Sequence, residues 1–382
     1  VMITTVSTSA DLIATLRGAA SGDVILLQPG VYTSLTLQNF VFDDLVTIAS
    51  SVADAPAVLT GLTVRNSAGL QFSDLEFAVS PADVENPFAV FSSQNIHFSG
   101  LNVHGSLNGD PGDDQSGLTL RGSSNVSVQD SEFQQLRLGV TLLDSQGVVV
   151  SDNSFHDIQT DGVRGGGSSN VQITRNFFTD FYPAKGDHPD AIQLWDTTSN
   201  PTAHDILISG NVIVRGDGGL MQGVFLRGPP ASFEGVTITD NTVVGGMTNG
   251  IFVEGANGAV VDHNLVVGYA GAKSWIRVEE SVNAVVTDNQ ATHYIWGDLL
   301  SGLQASGNAI VGYASPDSMA ALENWGLSDR LSPVPVLDLV ASVPPTAVVV
   351  PVVPDFQGTY LGDWSIHLAG GQSWLDFSNL QF

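Results

Sequence analysis

The sequence predicts an all-β chain, a right-handed, single-stranded parallel β-helix of about 10–12 coils with an N-terminal cap helix and an extended C-terminal tail. Three observations predict it. One strand pattern recurs ten times, seven of its copies carry asparagine at the same register, and the gaps between strands are too short for crossover helices.

The repeated pattern is an apolar-polar-apolar strand followed by a polar pair. It reads GLQFSDLEF from Gly69, NIHFSGLNV from Asn95, NVSVQDSEF from Asn125, GVVVSDNSF from Gly147 and NVQITRNFF from Asn170. It continues as DILISGNVI from Asp205, GVTITDNTV from Gly235, GAVVDHNLV from Gly258, NAVVTDNQA from Asn283 and GLQASGNAI from Gly302. Starts lie 19 to 35 residues apart, the spacing of a coil repeat with variable loops. Alternation with period two turns one side of each strand inward. The seventh position is Leu75, Leu101 and Ser131, then Asn153, Asn176, Asn211, Asn241, Asn264, Asn289 and Asn308. A buried amide needs partners, and stacked coils supply them above and below, so these seven predict an internal ladder.

A second strand lies between the copies, with a small residue, an apolar one, a variable one and another apolar one. It appears as SGLTLRG from Ser116, LGVTLLD from Leu138, DGVRGGG from Asp161, DAIQLWD from Asp190, QGVFLRG from Gln222, NGIFVEG from Asn249 and SWIRVEE from Ser274. At the start of the chain, residues 9–19 (SADLIATLRGA) read as an amphipathic helix with Ser9 as N-cap. Near the other end SPDSMAALENWG from Ser315 reads as a short helix with Pro316 in its first turn, followed by a Pro- and Val-rich stretch. The expected division is therefore a cap over 1–20, the β-helix over 21–312, and a cap helix with extended tail over 313–382.

Bulk composition narrows the partners. The chain has 382 residues, 12 Lys plus Arg against 39 Asp plus Glu, and a formal net charge of −27, which argues against nucleic acid and anionic lipid. The absence of cysteine excludes disulfides and thiol catalysis. No apolar run is long enough to insert in a membrane, and the first twenty residues lack the basic start and apolar run of a signal peptide. An acidic, Gly-rich, cysteine-free chain suggests an extracellular protein, exported without an N-terminal signal or in mature form. Calcium is the cofactor such a setting suggests; no organic cofactor is expected.

Residues at one register of stacked coils form columns about 4.8 Å per rung. The second strand places Thr119, Thr141, Arg164, Gln193, Phe225, Phe252 and Arg277 in one column, and Arg121, Leu143, Gly166, Trp195, Arg227, Glu254 and Glu279 in the next. Just before the strand lie Ser116, Leu138, Asp161, Asp190, Gln222 and Asn249. This face holds Arg121, Arg164, Arg227 and Arg277, four of the 12 Lys and Arg. Arginines beside outward aromatics and carboxylates suit sugar rings and hydroxyls. The alternative is that the arginines pair with acids on neighbouring rungs while the aromatics lie under the tail. Long loops enter the face before Ser116, Asp190 and Gln222, and the middle one gathers Tyr182, Lys185, Asp187 and His188 beside Asp161, Arg164, Asp190 and Gln193.

Three chemistries fit these groups. A lyase or C5-epimerase needs a base for the C5 proton of a uronate and a cation or acid to neutralise its carboxylate; Lys185, Arg164, His188 or Tyr182 are the candidates for base and acid, with Arg227 or a metal on the carboxylate. A hydrolase needs two carboxylates, and Asp161 and Asp190 share a register on adjacent rungs. Calcium needs oxygen donors, for which Asp187, Asp190, Asp161 and Asp217 are the candidates. The acidic loop of Asp110, Asp113 and Asp114 is either solvated or a second calcium site.

The stacked coils, with NVQITRN and GVTITDN as examples, resemble the pectin-lyase-like right-handed β-helix superfamily over roughly residues 20–312. That resemblance implies a polysaccharide lyase, a polygalacturonase-type hydrolase, a mannuronan C5-epimerase or a phage tailspike. Acidic members without signal peptides are similar to epimerases and lyases followed by calcium-binding nonapeptide repeats, and none of those repeats occurs in this chain. Mannuronan epimerases carry an Asp-Pro-His-Asp/Glu element; the nearest string here is Gly186-Asp187-His188-Pro189-Asp190, the same residue types in another order. The Asn-Thr-Asp element of polygalacturonases is approached by Gln159-Thr160-Asp161, but Gly-His-Gly and Arg-Ile-Lys are missing. The leading expectation is an extracellular enzyme that removes a C5 proton from an acidic polysaccharide. Asp161, Arg164, Lys185, Asp187, His188 and Asp190 are its catalytic candidates. Tyr182, Gln193, Trp195, Gln222, Phe225, Arg227, Phe252, Glu254 and Arg277 are its substrate-binding candidates. A glycoside hydrolase using Asp161 and Asp190 is second, and a non-catalytic adhesive or surface solenoid third.

Overall fold

A computed structural model describes residues 1–80, 86–196, 202–270 and 272–314, together with the short strand Thr346–Ala347. All of them belong to one compact unit, Val1–Val349. Three sheets of 14, 11 and 13 strands run the length of the described solenoid. All their pairings are parallel except the last, in which Thr346–Ala347 joins Ala309–Ile310 antiparallel. The ten repeats lie in the 14-stranded sheet, and the second strands form the 11-stranded sheet. A third strand intervenes, opened by the last two residues of each repeat. One coil runs Gln146–Ser151, Ser154–Ile158, Val163–Gly166, and each segment pairs with its equivalent one coil on. These third strands are only two to five residues long.

The cap helix spans Ser9–Gly18, with its N-cap one residue before the expected Ser9: the Thr8 side chain accepts from the Asp11 N–H. Its buried Leu12 and Leu16 close the end of the core. The helix expected from Ser315 lies outside the described residues.

Stacking turns each inward position into a continuous apolar column. Leu70, Ile96, Val126, Val148, Val171, Ile206 and Val236 stand in one register and are all buried. Phe133, Phe155 and Phe178 stack at 4.8 Å between rings. Their rings occupy the space beside the heads of the 11-stranded sheet. A Cβ on Gly139 or Gly162 would stand 2.7 Å from Phe155 or Phe178, respectively. This explains the small residue that opens the second-strand pattern, and it sets the height of the residue just before it.

The asparagine ladder forms as expected. Asn176 Oδ1 accepts from both the N–H and the side-chain amide of Asn153 at 3.0 Å, and the same arrangement repeats through Asn211, Asn241, Asn264, Asn289 and Asn308. Each of these amides also donates to a backbone carbonyl one coil back. A second ladder was not anticipated. The hydroxyls of Ser93, Ser123, Ser145 and Ser168 each accept the N–H of the preceding serine in the series that starts at Ser67. Its sequence signal is a serine just ahead of each early repeat.

Truncating a mid-ladder amide leaves several buried partners unsatisfied. Asn211→Ala is predicted to cost about 3–5 kcal/mol, and Ser123→Ala, which removes a shorter set of bonds, about 1–2 kcal/mol, both read from urea midpoints at constant m-value. Equal, small effects below about 1 kcal/mol would mean that the ladder does not hold the coils together.

Candidate functional site

The 11-stranded sheet has the register expected from the sequence. Thr119, Thr141, Arg164, Gln193, Phe225, Phe252 and Arg277 form one outward column. Val163 pairs with Ile192, so Asp161 and Asp190 open adjacent rungs at the same height. Both are buried, Asp161 at 3% exposure and Asp190 at 0%.

The loop before Asp190 is fastened at several points. Phe181 is fully buried, the Tyr182 N–H donates to Ile158 O at 2.8 Å, and the Gly219 N–H of the next loop donates to Phe181 O at 2.7 Å. Gly218 and Gly219 have no room for side chains because Phe181 and Pro183 lie against them. Asp187 completes the fastening, since its carboxylate accepts the Ala184 N–H at 2.8 Å and the Gln159 amide at 2.9 Å. That loop carries His188 over the head of its own strand.

Polar contacts converge there. His188 Nδ1 lies 2.9 Å from Asp190 Oδ2, the Gln193 amide donates to the same oxygen at 2.8 Å, and the Gln222 amide donates to Oδ1 at 3.1 Å. The Asp190 N–H donates to Asp161 Oδ1 at 3.1 Å, and an Arg164 terminal nitrogen reaches Asp161 Oδ2 at 3.3 Å. The Arg164 guanidinium lies over the Trp195 ring, 5.1 Å from its centroid. Gly166 makes this possible, because a Cβ there would stand 2.3 Å from the indole nitrogen.

Burial shapes the proton affinities. It raises Asp161 to about 7, helped by the nearby Asp190 charge and opposed by Arg164. It raises Asp190 too, while His188 and the Gln193 amide pull back. For His188, burial acts downward, but Asp190 and then Asp161 outweigh it and the ring is raised above its ordinary value. The His188 side chain is 38% exposed, whereas its two carboxylate neighbours are closed off. The arrangement provides an accessible imidazole with buried acids behind it and an aromatic face and guanidinium beside it.

Several sequence expectations need correction. Phe225 and Phe252 occupy the outward column but are buried, at 8% and 3% exposure, packed together at 4.8 Å, with the His188 ring edge-on to Phe225. They form a floor rather than an open sugar platform. Arg227 forms an ion pair with Glu254 at 2.9 Å, and Arg277 bonds Glu279 at 3.0 Å while covering Phe252. Arg121 stands 3.8 Å from Asp144. The arginines are therefore compensated by acids, which was the alternative reading of the cluster. Tyr182 is 42% exposed, and its hydroxyl is raised by burial and by Asp180, Asp157 and Asp217, none of them in the Asp161–Asp190 pair. Lys185 is exposed on the loop.

The expected metal set is not assembled: the Asp187 carboxylate is taken up by the Ala184 N–H and the Gln159 amide. Among the described residues no three His, Asp or Glu are grouped to hold a cation. In the acidic loop, Asp110 caps the turn Pro111–Asp113, Asp113 accepts from Asn108 and buried Asp114 accepts from Ser106.

Two polar residues complete the site that were not among its candidate residues. Asn249 donates to Gln222, and Trp275 donates to Asn249 at 2.8 Å. Asn249 shares the column of Asp190 and was visible there. Trp275 was not, because a register shift between Asn249 and Ile251 brings it level with Asn249.

A carboxyl whose folded-state pKa exceeds its unfolded value binds its proton more tightly when folded. Its contribution to stability is therefore present at low pH and is lost as pH rises from the ordinary value of 3.8 to about 7 for Asp161. Asp161→Asn keeps the oxygen that accepts the Asp190 N–H and removes the charge. It is predicted to be more stable than the parent at about pH 8, by on the order of 1 kcal/mol, with the gain vanishing near about pH 4. Calorimetry across that range checks it, and a variant less stable at high pH would contradict the buried-pair electrostatics.

Among the described residues no helix is long and apolar enough to cross a membrane. No curated protein sequence matches this chain. Solved structures do. The A-module of a mannuronan C-5 epimerase from Azotobacter vinelandii matches with a TM-score of 0.53 and 15% identity, over 78% of this chain and 85% of that one. A periplasmic alginate epimerase matches at 0.50 and 14%, over 77% and 74%. A surface adhesin of Streptococcus pneumoniae matches at 0.49 and 12%, over 81% and 88%. The model for the right-handed beta helix region matches residues 56–208 and 116–292, and with its three parallel sheets the chain belongs to that family.

Proposed function

We propose that this protein is a carbohydrate-active enzyme that removes the C5 proton of a uronate in an extracellular acidic polysaccharide, as a lyase or C5-epimerase. The observation that carries the reading is His188: its side chain is 38% exposed, while the carboxylates that tune it are buried. A carboxylate at Nδ1 strengthens an imidazole base and fixes its orientation, and a base near neutral is suited to proton transfer. His188 Nε2 takes the proton after the substrate displaces the Gln222 amide from it; the electron pair left at C5 either expels the C4 oxygen, which takes a proton from water, or takes a proton from water on the opposite face. Arg164 meets the uronate carboxylate. Its pairing with Asp161 weakens when Asp161 is protonated, which the raised pKa of that acid allows near neutrality. Trp195 offers the sugar ring a flat apolar face beside Arg164.

Glycoside hydrolysis by Asp161 and Asp190 is the weaker reading. It needs carboxyl groups on two sides of a scissile bond, whereas this pair is almost inaccessible. Two of the structures this chain resembles, the A-module of a mannuronan C-5 epimerase and a periplasmic alginate epimerase, are epimerases by name, in keeping with the proton-transfer reading.

The test is a panel of polyuronates followed by the ultraviolet absorbance of unsaturated products, by reducing ends, and by NMR of the polymer. Unsaturated ends or inverted C5 centres are expected, and His188→Gln is expected to lower that rate by about 10²–10⁴-fold. Reducing ends without unsaturation, or full activity in His188→Gln, would overturn the assignment.

A further inference from the structure

We propose that Trp275, acting through Asn249 and Gln222, determines which nitrogen of His188 carries its proton and keeps the lone pair on Nε2. The side-chain hydrogen bonds run along one column across four rungs, and the donor-only indole at one end sets their polarity.

An indole N–H can donate and cannot accept. The Asn249 atom 2.8 Å from Trp275 Nε1 is therefore the oxygen. That leaves the Asn249 amide nitrogen, a donor, facing Gln222 at 2.5 Å, so the Gln222 atom there is Oε1. Gln222 Nε2 is thereby turned the other way, with one hydrogen for Asp190 Oδ1 at 3.1 Å and one for His188 Nε2 at 2.6 Å. Its distance to His188 Nδ1 is 3.4 Å, so the amide approaches over the ring face and lies nearest Nε2. A positive N–H hydrogen held against Nε2 disfavours a proton on that nitrogen. The ring proton is then on Nδ1, where Asp190 Oδ2 receives it at 2.9 Å. Amide and ring orientations are otherwise ambiguous, and the donor-only indole removes the ambiguity.

The other groups facing the ring act in the opposite sense. Asp190 and Asp161 draw a second proton onto it, with Arg164 beside Asp161 moderating both acids. Phe225 contributes only an aromatic edge. On His188's own loop, the Asp187 carboxylate is taken up by Ala184 and Gln159. The Gln222 N–H is the group that opposes protonation at Nε2, and Trp275 and Asn249 stop that amide from turning over. They are positioning residues. Their catalytic consequence rests on the reading of His188 as the base, whereas the tautomer itself does not.

The experiment is ¹⁵N NMR of the His188 ring in the full chain without substrate, assigned by the signal lost in His188→Gln. At a pH above the ring's own titration, where it is neutral, the parent is expected to show protonated Nδ1 and unprotonated Nε2, and the variants are compared at that pH. Asn249→Asp presents an oxygen to both neighbours, so Gln222 must turn its amide nitrogen towards it and its oxygen towards the ring. Nε2 is then expected to become protonated, with proton affinity raised about tenfold or more. Trp275→Phe removes the N–H together with part of the ring and is expected to give a mixture of the two tautomers; should Asn249→Asp fail to fold, this variant alone decides. A protonated Nε2 in the parent, or an unchanged ring in either folded variant, overturns the proposal. A purely structural Trp275 would lower the melting temperature and leave the tautomer alone. With an active polymer in hand, Trp275→Phe should lower kcat by about 3- to 10-fold at unchanged KM and move the acidic limb of the pH profile.

Discussion

The interaction on which the rest of the structure depends is the hydrogen bonding of each coil to the next at constant register. Parallel strands repeat about every 4.8 Å, so any side chain that satisfies its neighbour at one rung can do so at all of them. The asparagine ladder uses this to keep amides buried at almost no exposure. The serine ladder does the same at another corner with smaller groups. Phenylalanines stack in the interior by the same rule, and the glycines opposite them follow as a steric consequence.

The candidate site arises from that regularity by a local departure. Most positions just before the front strands are small, apolar or amide residues, whereas two adjacent rungs carry Asp161 and Asp190. Stacking brings the two acids close, and the loop closed by Phe181 and Asp187 limits water. The pair is costly to ionise fully, and that cost is what tunes the exposed histidine above it. The polar chain from Asp190 through Gln222 and Asn249 to Trp275 extends the ladder principle to the outside of the sheet. Unlike the internal ladder it has a direction, with a carboxylate at one end and a donor-only indole at the other.

Much of this was legible in the sequence because a solenoid converts spacing into position. The columns of Arg164, Gln193 and Phe225, and the adjacency of Asp161 and Asp190, came directly from aligned repeats. What could not be read was whether an outward position is covered. Phe225 and Phe252 share the column of Arg164, yet packing against each other, His188 and Arg277 buries them. Charge pairing was equally hidden. Glu254 and Arg227 were visible as neighbours in a column, but their commitment to each other depends on side-chain reach. Trp275 was lost to a one-residue register shift, which no repeat alignment reveals. Asp187 looked like a ligand or catalyst by type, and its local bonds to Ala184 and Gln159 make it a loop fastener.

The central claim is that His188, supported by Asp190, exchanges the C5 proton of a uronate. The most direct measurement is deuterium incorporation at C5 when a polyuronate is incubated with the protein in heavy water, followed by NMR of the recovered polymer and its fragments. The parent is predicted to introduce deuterium at C5, or to lose that hydrogen by elimination, and His188→Gln to do neither. Chain cleavage with C5 hydrogen fully retained would contradict the claim and return the site to its two carboxylates.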